Sequence, residues 1–383
     1  MKTLRSLLLI LAVIVTPALL VSCGGGGDPE PDPPSNSPWA DFTNRTALYG
    51  DPHIHTVLSD GDESPDYAIR YARDVVGLDW CVITDHAEVL HPDAIPYYRT
   101  LPGKYTSNGE FSVLFGFEWT SNWFGHRNIY TTDNTIPIFP SFGDTHFPYQ
   151  MWAALDGYDV ITVCHHPMIK SNHTWYNYTN PLERNVEFYS KWGLSLFPGN
   201  DRPLVEYDER YGVFSALIKG NRYGLIAGTD THMTRPASYL LESRQEAALE
   251  YPNPGITGVW ATSNTPDAIY EALKFRRTYG MSGTMIELIF SVNGKMMGSE
   301  ITSSDPPQIY YTASAPDVVA QVDIIKIDET SVNVIKTWNP NSNSASGNFT
   351  DQSYASNASY TVVVTLENTD IAMASPVWVD IIP

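Results

Sequence analysis

Between Leu48 and Met285, short apolar runs alternate with amphipathic stretches, and polar residues gather where the apolar runs end. Trp80 to Thr84, Val113 to Glu118, Val160 to His166 and Tyr223 to Asp230 are brief and mostly apolar, the pattern of strands in a sheet covered on both faces. Between Gly50 and Gly77 the period changes. Ser64-Pro65 offers a helix cap and a first-turn proline, Tyr67, Ala68, Tyr71, Ala72, Val75 and Val76 recur at helical spacing, and Gly77 is placed to end the helix. Thr265-Pro266 starts another helix over about 267–277, with Ile269, Tyr270 and Leu273 inward. Strand and helix in alternation predict an α/β fold with functional residues at the carboxyl ends of the strands, and a barrel is the expected form. Beyond Met285 the helical signal fades. Ile309-Tyr310-Tyr311, Val322 to Ile327, Tyr360 to Leu366 and Val377 to Ile382 read as strands, and turn-rich clusters such as Asn339 to Asn348 separate them, which predicts a small antiparallel β-sandwich over 286–383.

The amino terminus has a different texture. Lys2 and Arg5 precede an apolar run from Leu7 to Val15, so 1–22 reads as an export signal, and no later stretch is apolar for the roughly 20 residues of a membrane span. Leu20-Val21-Ser22-Cys23 resembles the bacterial lipobox, which implies a lipid on Cys23 and an extracytoplasmic membrane lipoprotein; the competing reading is an ordinary cleaved signal. Residues 23–40, rich in Gly, Pro, Asp and Ser, read as a flexible tether. The formal net charge is −20, more negative still without Lys2 and Arg5, which argues against an extended nucleic-acid groove. Cys81 and Cys164 lie in apolar runs and read as packed thiols, with a disulfide between them the alternative.

Candidate metal ligands fall in five clusters: His53-Ile54-His55 with Asp60, Thr84-Asp85-His86, Glu118 with His126, His165-His166-Pro167, and Asp230-Thr231-His232. In extended chain, residues i and i+2 point to one side, so His53 and His55 can grip one ion, and Asp230 and His232 share a face likewise. Each residue alone has a plainer role as a core histidine or a turn carboxylate. Mixed imidazole and carboxylate donors suit zinc, manganese or iron rather than a closed structural zinc site.

These clusters resemble the motifs of the polymerase and histidinol phosphatase (PHP) superfamily of metallohydrolases. Gly50-Asp51-Pro52-His53-Ile54-His55-Thr56 with Ser59-Asp60-Gly61 matches the opening motif, Ile83-Thr84-Asp85-His86 the second and Gly228-Thr229-Asp230-Thr231-His232 the last. Gly116-Phe117-Glu118-Trp119, Gly125-His126-Arg127-Asn128 and His165-His166-Pro167 fit the positions between, and 256–283 looks like the carbaryl-hydrolase-like branch. The resemblance implies a distorted (β/α)7 barrel over 41–285 and two or three divalent ions. It assigns His53, His55, Glu118 and Asp230 to one ion, with Glu118 bridging to a second held by His126 and His166, and Asp60, His86 and His232 to a third. It further implies that a hydroxide bridging the ions attacks a small phosphomonoester or phosphodiester. An alternative keeps the ions but cleaves a carboxylic or carbamate ester, and a second alternative is a non-catalytic surface binding protein.

Several neighbours are candidates for other roles. His166 is preferred to His165 as a ligand because it precedes the proline; His165 is expected to pack or to support a ligand, with proton donation to a leaving group the further possibility. Asp85 is expected to orient a ligand, and Arg127 either binds a substrate anion or pairs with an acidic residue. Trp119, Trp123 and Phe124 either line a pocket or pack at the barrel mouth. His91, His146 and His173 are expected in loops.

Overall fold

A computed structural model describes residues 37–169, 177–197, 200–204, 208–240 and 251–382. The signal, the lipobox with Cys23, most of the tether and His173 lie outside the described residues. The chain folds as a mixed α/β protein with a large sheet and few, short helices.

The wall around the site is built from β1 (Thr46–Asp51), β2 (Trp80–Val82), β3 (Ser112–Trp119), β4 (Arg127–Thr131), β5 (Ile161–His165), β6 (Glu183–Ser190), β7 (Gly193–Leu194), β8 (Gly224–Ala227), β9 (Gly255–Ala261) and β10 (Thr278–Ser282). Its ladder runs β10-β9-β1-β2-β3-β4-β5-β6-β8, with β7 a short hairpin on β6. Its ends meet where Thr278 Oγ1 of β10 donates to the Leu225 carbonyl of β8 at 3.0 Å, and Thr257 Oγ1 of β9 accepts the Ala227 N–H at 3.0 Å and donates to the Ala227 carbonyl at 2.6 Å. Four neighbouring pairs are parallel, β1/β2, β2/β3, β5/β6 and β6/β8, whereas β9/β1, β3/β4 and β4/β5 run antiparallel. The strand–helix alternation read from the sequence is therefore interrupted. Between Trp119 and Arg127 the chain is too short for the crossover a parallel neighbour needs, so β4 turns straight back along β3.

Helices α1 (Pro65–Arg70), α2 (Ile95–Tyr98), α3 (Leu101–Tyr105), α4 (Pro148–Ala154), α5 (Val213–Ile218) and α6 (Pro266–Lys274) fill some of the connections. Ser64 caps α1 by accepting from Tyr67 N at 3.2 Å, and the helix widens to π-helical turns over Tyr71–Val76 before Gly77 ends it at φ 77°. Thr265 caps α6, whose Ile269, Tyr270 and Leu273 are buried as expected. Among the described residues no helix is long and apolar enough to cross a membrane. Cys81 and Cys164 are buried and unpaired. Gly50 lets β1 lie against Trp80; a β-carbon there would fall 2.2 Å from the indole.

After β10 the chain is all strand: β11 (Glu287–Val292), β12 (Lys295–Met296), β13 (Glu300–Ser303), β14 (Gln308–Ile327), β15 (Val332–Trp338), β16 (Ser342–Thr350), β17 (Ala358–Leu366), β18 (Ile371–Ala374) and β19 (Val377–Ile381). Two strands expected separately, at Ile309 and at Val322, are one: β14 pairs with β11 and β16 through its first part and with β15 and β17 through its second. The cluster expected to be turns, Asn339 to Asn348, instead contributes most of β16. Its Ser and Asn side chains mark turns by composition, but β14 satisfies its backbone, and Gly347 lets Tyr311 and Trp338 lie flush against it.

This strand-rich part is joined to the wall. β18 pairs with β10, Arg222 donates to Asp380 at 2.8 Å, and the Arg276 guanidinium sits 4.7 Å over the Trp378 ring. Trp39, within the stretch read as tether, packs edge-on to Tyr310 with ring centres 6.1 Å apart.

Candidate metal centre

Backbone pairing beyond the strand ends brings the five clusters together. Past β1, Ile54 bridges Thr231 in parallel, with His55 N donating to Thr231 O and Asp230 N to His53 O, both at 3.0 Å. Past β2, His86 bridges Glu118, and Thr84 N donates to Ile54 O at 2.9 Å. His126 immediately precedes β4 and His165 closes β5. Each ligand candidate thus sits at a strand end or in the loop that follows or precedes it.

Four donor atoms converge most closely. His55 Nε2 is 3.2 Å from His53 Nε2, 3.1 Å from Asp230 Oδ1 and 3.4 Å from Glu118 Oε2, and His53 Nε2 is 3.3 Å from each of those oxygens. Such separations match the edges of a polyhedron whose donors lie roughly 2.1 Å from a common centre. The other Glu118 oxygen faces a second set: Oε1 is 3.0 Å from His126 Nδ1 and 3.2 Å from His86 Nδ1. A third group combines His55, Asp60, His86 and His232, with Asp60 Oδ2 3.4 Å from His232 Nε2. Asp60 is 41% exposed at its side chain, so this is the open end of the cluster.

All nine ligand candidates therefore stand together, and His165 joins them. Its Nε2 lies 3.5 Å from Glu118 Oε2, and it groups with His53 and Asp230 on one side and with His126 and His166 on the other. Both adjacent histidines face the site because the strand stops at His165: His166 has φ 31°, a left-handed turn that swings its ring to the side His165 already faces. Asp230, at φ 55°, is likewise turned out of extended geometry. Non-glycine residues held there mark strain that the surrounding fold sustains.

Two candidates stand elsewhere. Arg127 is buried in the wall, where it donates to Glu183 at 2.8 Å and to the Phe124 carbonyl at 2.8 Å, so it serves packing and not a substrate anion. Asp85 accepts from Thr56 N and Oγ1, each at 2.7 Å, and from Ser59 Oγ at 2.6 Å. It pins the loop between His55 and Asp60 and holds no ring directly.

The residue that holds a ring is one the motifs miss. Glu187 on β6 lies 3.0 Å from His53 Nδ1, which fixes the tautomer with its Nε2 lone pair toward the cluster. The available signal was a charged residue inside the apolar run Val186 to Tyr189. Asp51 accepts from the Thr229 and His53 amides and from Thr229 Oγ1, tying β1 to the loop after β8. Thr120 Oγ1 donates to Glu118 Oε1 at 2.8 Å and lies 2.6 Å from His86 Nδ1.

The electrostatics follow from crowding opposite charges in a dry site. Burial works to raise Glu118 and Asp230, but the imidazoles around them, His86 and His165 for the first and His53 and His55 for the second, hold both well below the carboxylate range. Burial pushes Glu187 up to about 7 and Asp51 to about 6, and it pushes His165 down to about 3, leaving that ring a neutral lone-pair donor.

Among the described residues, no lysine or arginine pairs with Asp51, Asp85, Glu118, Glu187 or Asp230. Buried carboxylates without such partners need positive charge from elsewhere. Both ring nitrogens of His165, His55 Nδ1 and His126 Nδ1 are buried without a hydrogen-bond partner, although His126 Nδ1 is so near Glu118. Orphaned nitrogens beside carboxylate oxygens fit divalent cations.

Residues 224–317 match a family model described as a protein of unknown function, DUF3604. An uncharacterized protein of Chlamydia pneumoniae is 25% identical over 360 residues, covering 87% of this chain and 57% of that protein. One from Chlamydia trachomatis serovar D is 24% identical over 380 residues, covering 88% and 58%. The chain spans somewhat over half the length of these curated relatives. Among solved structures, it is similar to a two-domain protein from Bacteroides vulgatus containing a predicted PHP-like metal-dependent phosphoesterase, at TM-score 0.45 and 15% identity over 88% of this chain and 96% of that one. Similarity to PsfC from Pseudomonas syringae has TM-score 0.39 and 13% identity over 61% and 90%.

Proposed function

We propose that this chain is a metal-dependent hydrolase of small phosphomonoesters or phosphodiesters, built on the distorted (β/α)7 barrel of the PHP superfamily over 41–285. The observation that carries the proposal is Glu118, whose two oxygens face two different sets of imidazoles. His53, His55, Glu118, Asp230, His126, His165 and His166 would hold two ions, and Asp60, His86 and His232 would complete a third site with His55 beside them. Zinc, manganese or iron held there would acidify a water and neutralise charge that builds on phosphoryl oxygens.

The chain's own residues supply the rest. Glu187 orients His53, Asp85 and Asp51 fix the loops that carry His55, Asp60 and Asp230, and the dry walls strengthen every charge interaction inside. In hydrolysis the oxygen of water replaces the ester oxygen at phosphorus, and the departing alcohol takes up a proton. The lipobox resemblance supports a position on the outer side of a bacterial membrane, with a lipid on Cys23 and the chain over 23–40 as a tether, and the β-rich part over 286–383 is joined to the barrel through β18 and β10.

Release of product from p-nitrophenyl phosphate, its bis ester and an aryl acetate, measured side by side with added manganese or zinc, tests the reaction. Phosphoester turnover that Asp230→Ala abolishes is the expected result. Turnover of the acetate alone would transfer the chemistry to carboxylic esters, and equal activity of wild type and Asp230→Ala would sink the proposal.

A further inference from the structure

Three exposed apolar side chains lie in linked loops beside the cluster. Val89, Trp123 and Phe142 are 59%, 71% and 59% exposed, and they belong to the segments that follow β2, β3 and β4. Glu88 stitches these segments together. Its Oε1 accepts from Thr120 N at 3.0 Å and from Ser141 N at 2.6 Å, while the Ser141 hydroxyl donates to the Thr120 carbonyl. The knot reaches the cluster itself, because Thr120 Oγ1 bonds Glu118 and lies against His86.

Trp123 occupies the tip of a tight turn, closed by Gly125 N donating to Ser121 O at 3.1 Å, that leads directly into His126. Its neighbours took the apolar interior: Trp119 is buried and bonds the Thr145 carbonyl, and Phe124 packs against Phe147 and Tyr178. Trp123 faces water instead. The stretches Thr120–Gly125 and Asn134–Gly143 carry no charged residue.

Large apolar surface beside a polar centre gains free energy when a ligand covers it. A substrate whose ester group reaches Glu118 and its imidazoles must lay its remainder over the surrounding loops. Laid on Val89, Trp123 and Phe142, the hydroxyls of a sugar or glycerol moiety lose water, whereas an aryl or alkyl group buries apolar surface against indole and phenyl faces. We infer that Val89, Trp123 and Phe142 form the recognition platform for an apolar substituent, so that the preferred substrates are esters with an aryl or longer alkyl group and not sugar or glycerol phosphates. The inference rests on the site being an ester hydrolase.

The measurement is the ratio of kcat/KM for phenyl phosphate to that for glycerol phosphate, in the full chain, in detergent. Wild type favours the phenyl ester; Trp123→Ser lowers the ratio about tenfold, mainly through KM for the phenyl ester, and Trp123→Phe restores most of it. Phe142→Ser acts in the same direction. If wild type cleaves only carboxylic esters, phenyl acetate against methyl acetate replaces the pair, and the platform is judged apart from the phosphoester reading. A wild-type preference for the glycerol or methyl ester, or a ratio unmoved by both serine substitutions, overturns the inference. A loss confined to substrate embedded in phosphatidylglycerol vesicles, with the soluble ratio unmoved, also overturns it and makes these loops a membrane contact.

Discussion

Replacing Glu187 separates support of a ligand from ligation. Its carboxylate sits 3.0 Å from His53 Nδ1, wholly buried, and approaches the cluster only through that ring. Glu187→Ala leaves His53 free to rotate and to place its proton on either nitrogen, so Nε2 loses its fixed lone pair. Partners of metal-bound imidazoles typically contribute about 10–100-fold to affinity, or roughly 1.4–2.7 kcal/mol, close to the roughly 1.5–3 kcal/mol of a charged hydrogen bond. Glu187→Gln keeps an acceptor but not the charge and should fall between wild type and Glu187→Ala. Asp230→Ala, which removes a ligand atom, should lose more than either. Competition against a chromophoric chelator reads the affinity, and thermal melting at rising metal concentration reads the same quantity through linkage, a 100-fold loss removing about 2.7 kcal/mol at saturation. Unchanged affinity in Glu187→Ala, with native circular dichroism, would refute the idea that this carboxylate holds a ligand.

Other expectations bear on ligand identity, the β-rich part and packing. His165→Ala and His166→Ala should each reduce metal per chain by element analysis, whereas His91→Ala, at an exposed loop position, should not; full occupancy in His165→Ala would return that residue to a packing role. In the β-rich part, Lys326, Ser353 and Tyr360 outweigh burial and hold Asp351 down to about 2. A depressed carboxylate stabilises the fold above its unfolded value of about 3.9, and the contribution fades as pH falls toward about 2. Asp351→Asn should therefore lose about 2 kcal/mol at pH 7, and the gap to wild type should narrow below about pH 4; equal melting at pH 7 would contradict this. Gly50→Ala drives a methyl into Trp80 and should cost about 1–3 kcal/mol in denaturant unfolding, while Gly103→Ala, with open space around its β-carbon, should be neutral or mildly stabilising.

Local chemistry along the chain was enough to identify the helix starting at Pro65, the burial of Ile269 and Leu273, and strands ending near Glu118 and His165, because capping and periodicity act over a few residues. It was also enough to nominate the nine ligand candidates, since two-residue spacing and strand-end placement are properties of single segments. Where a local rule met a long-range partner, it lost. Asn339 to Asn348 has turn composition, yet β14 offered it a ladder and it became strand; His165 and His166 alternate on paper, yet φ 31° at His166 put both rings in one site.

Tertiary structure alone decided which carboxylate supports which ring. Glu187 and His53 are 134 residues apart, and their meeting depends on β6 and β1 occupying particular places in a closed ladder. Arg127, beside His126 in the chain, points into the wall and meets Glu183 for the same reason: adjacent residues of a strand face opposite ways, and the register of neighbouring strands sets what each one finds there.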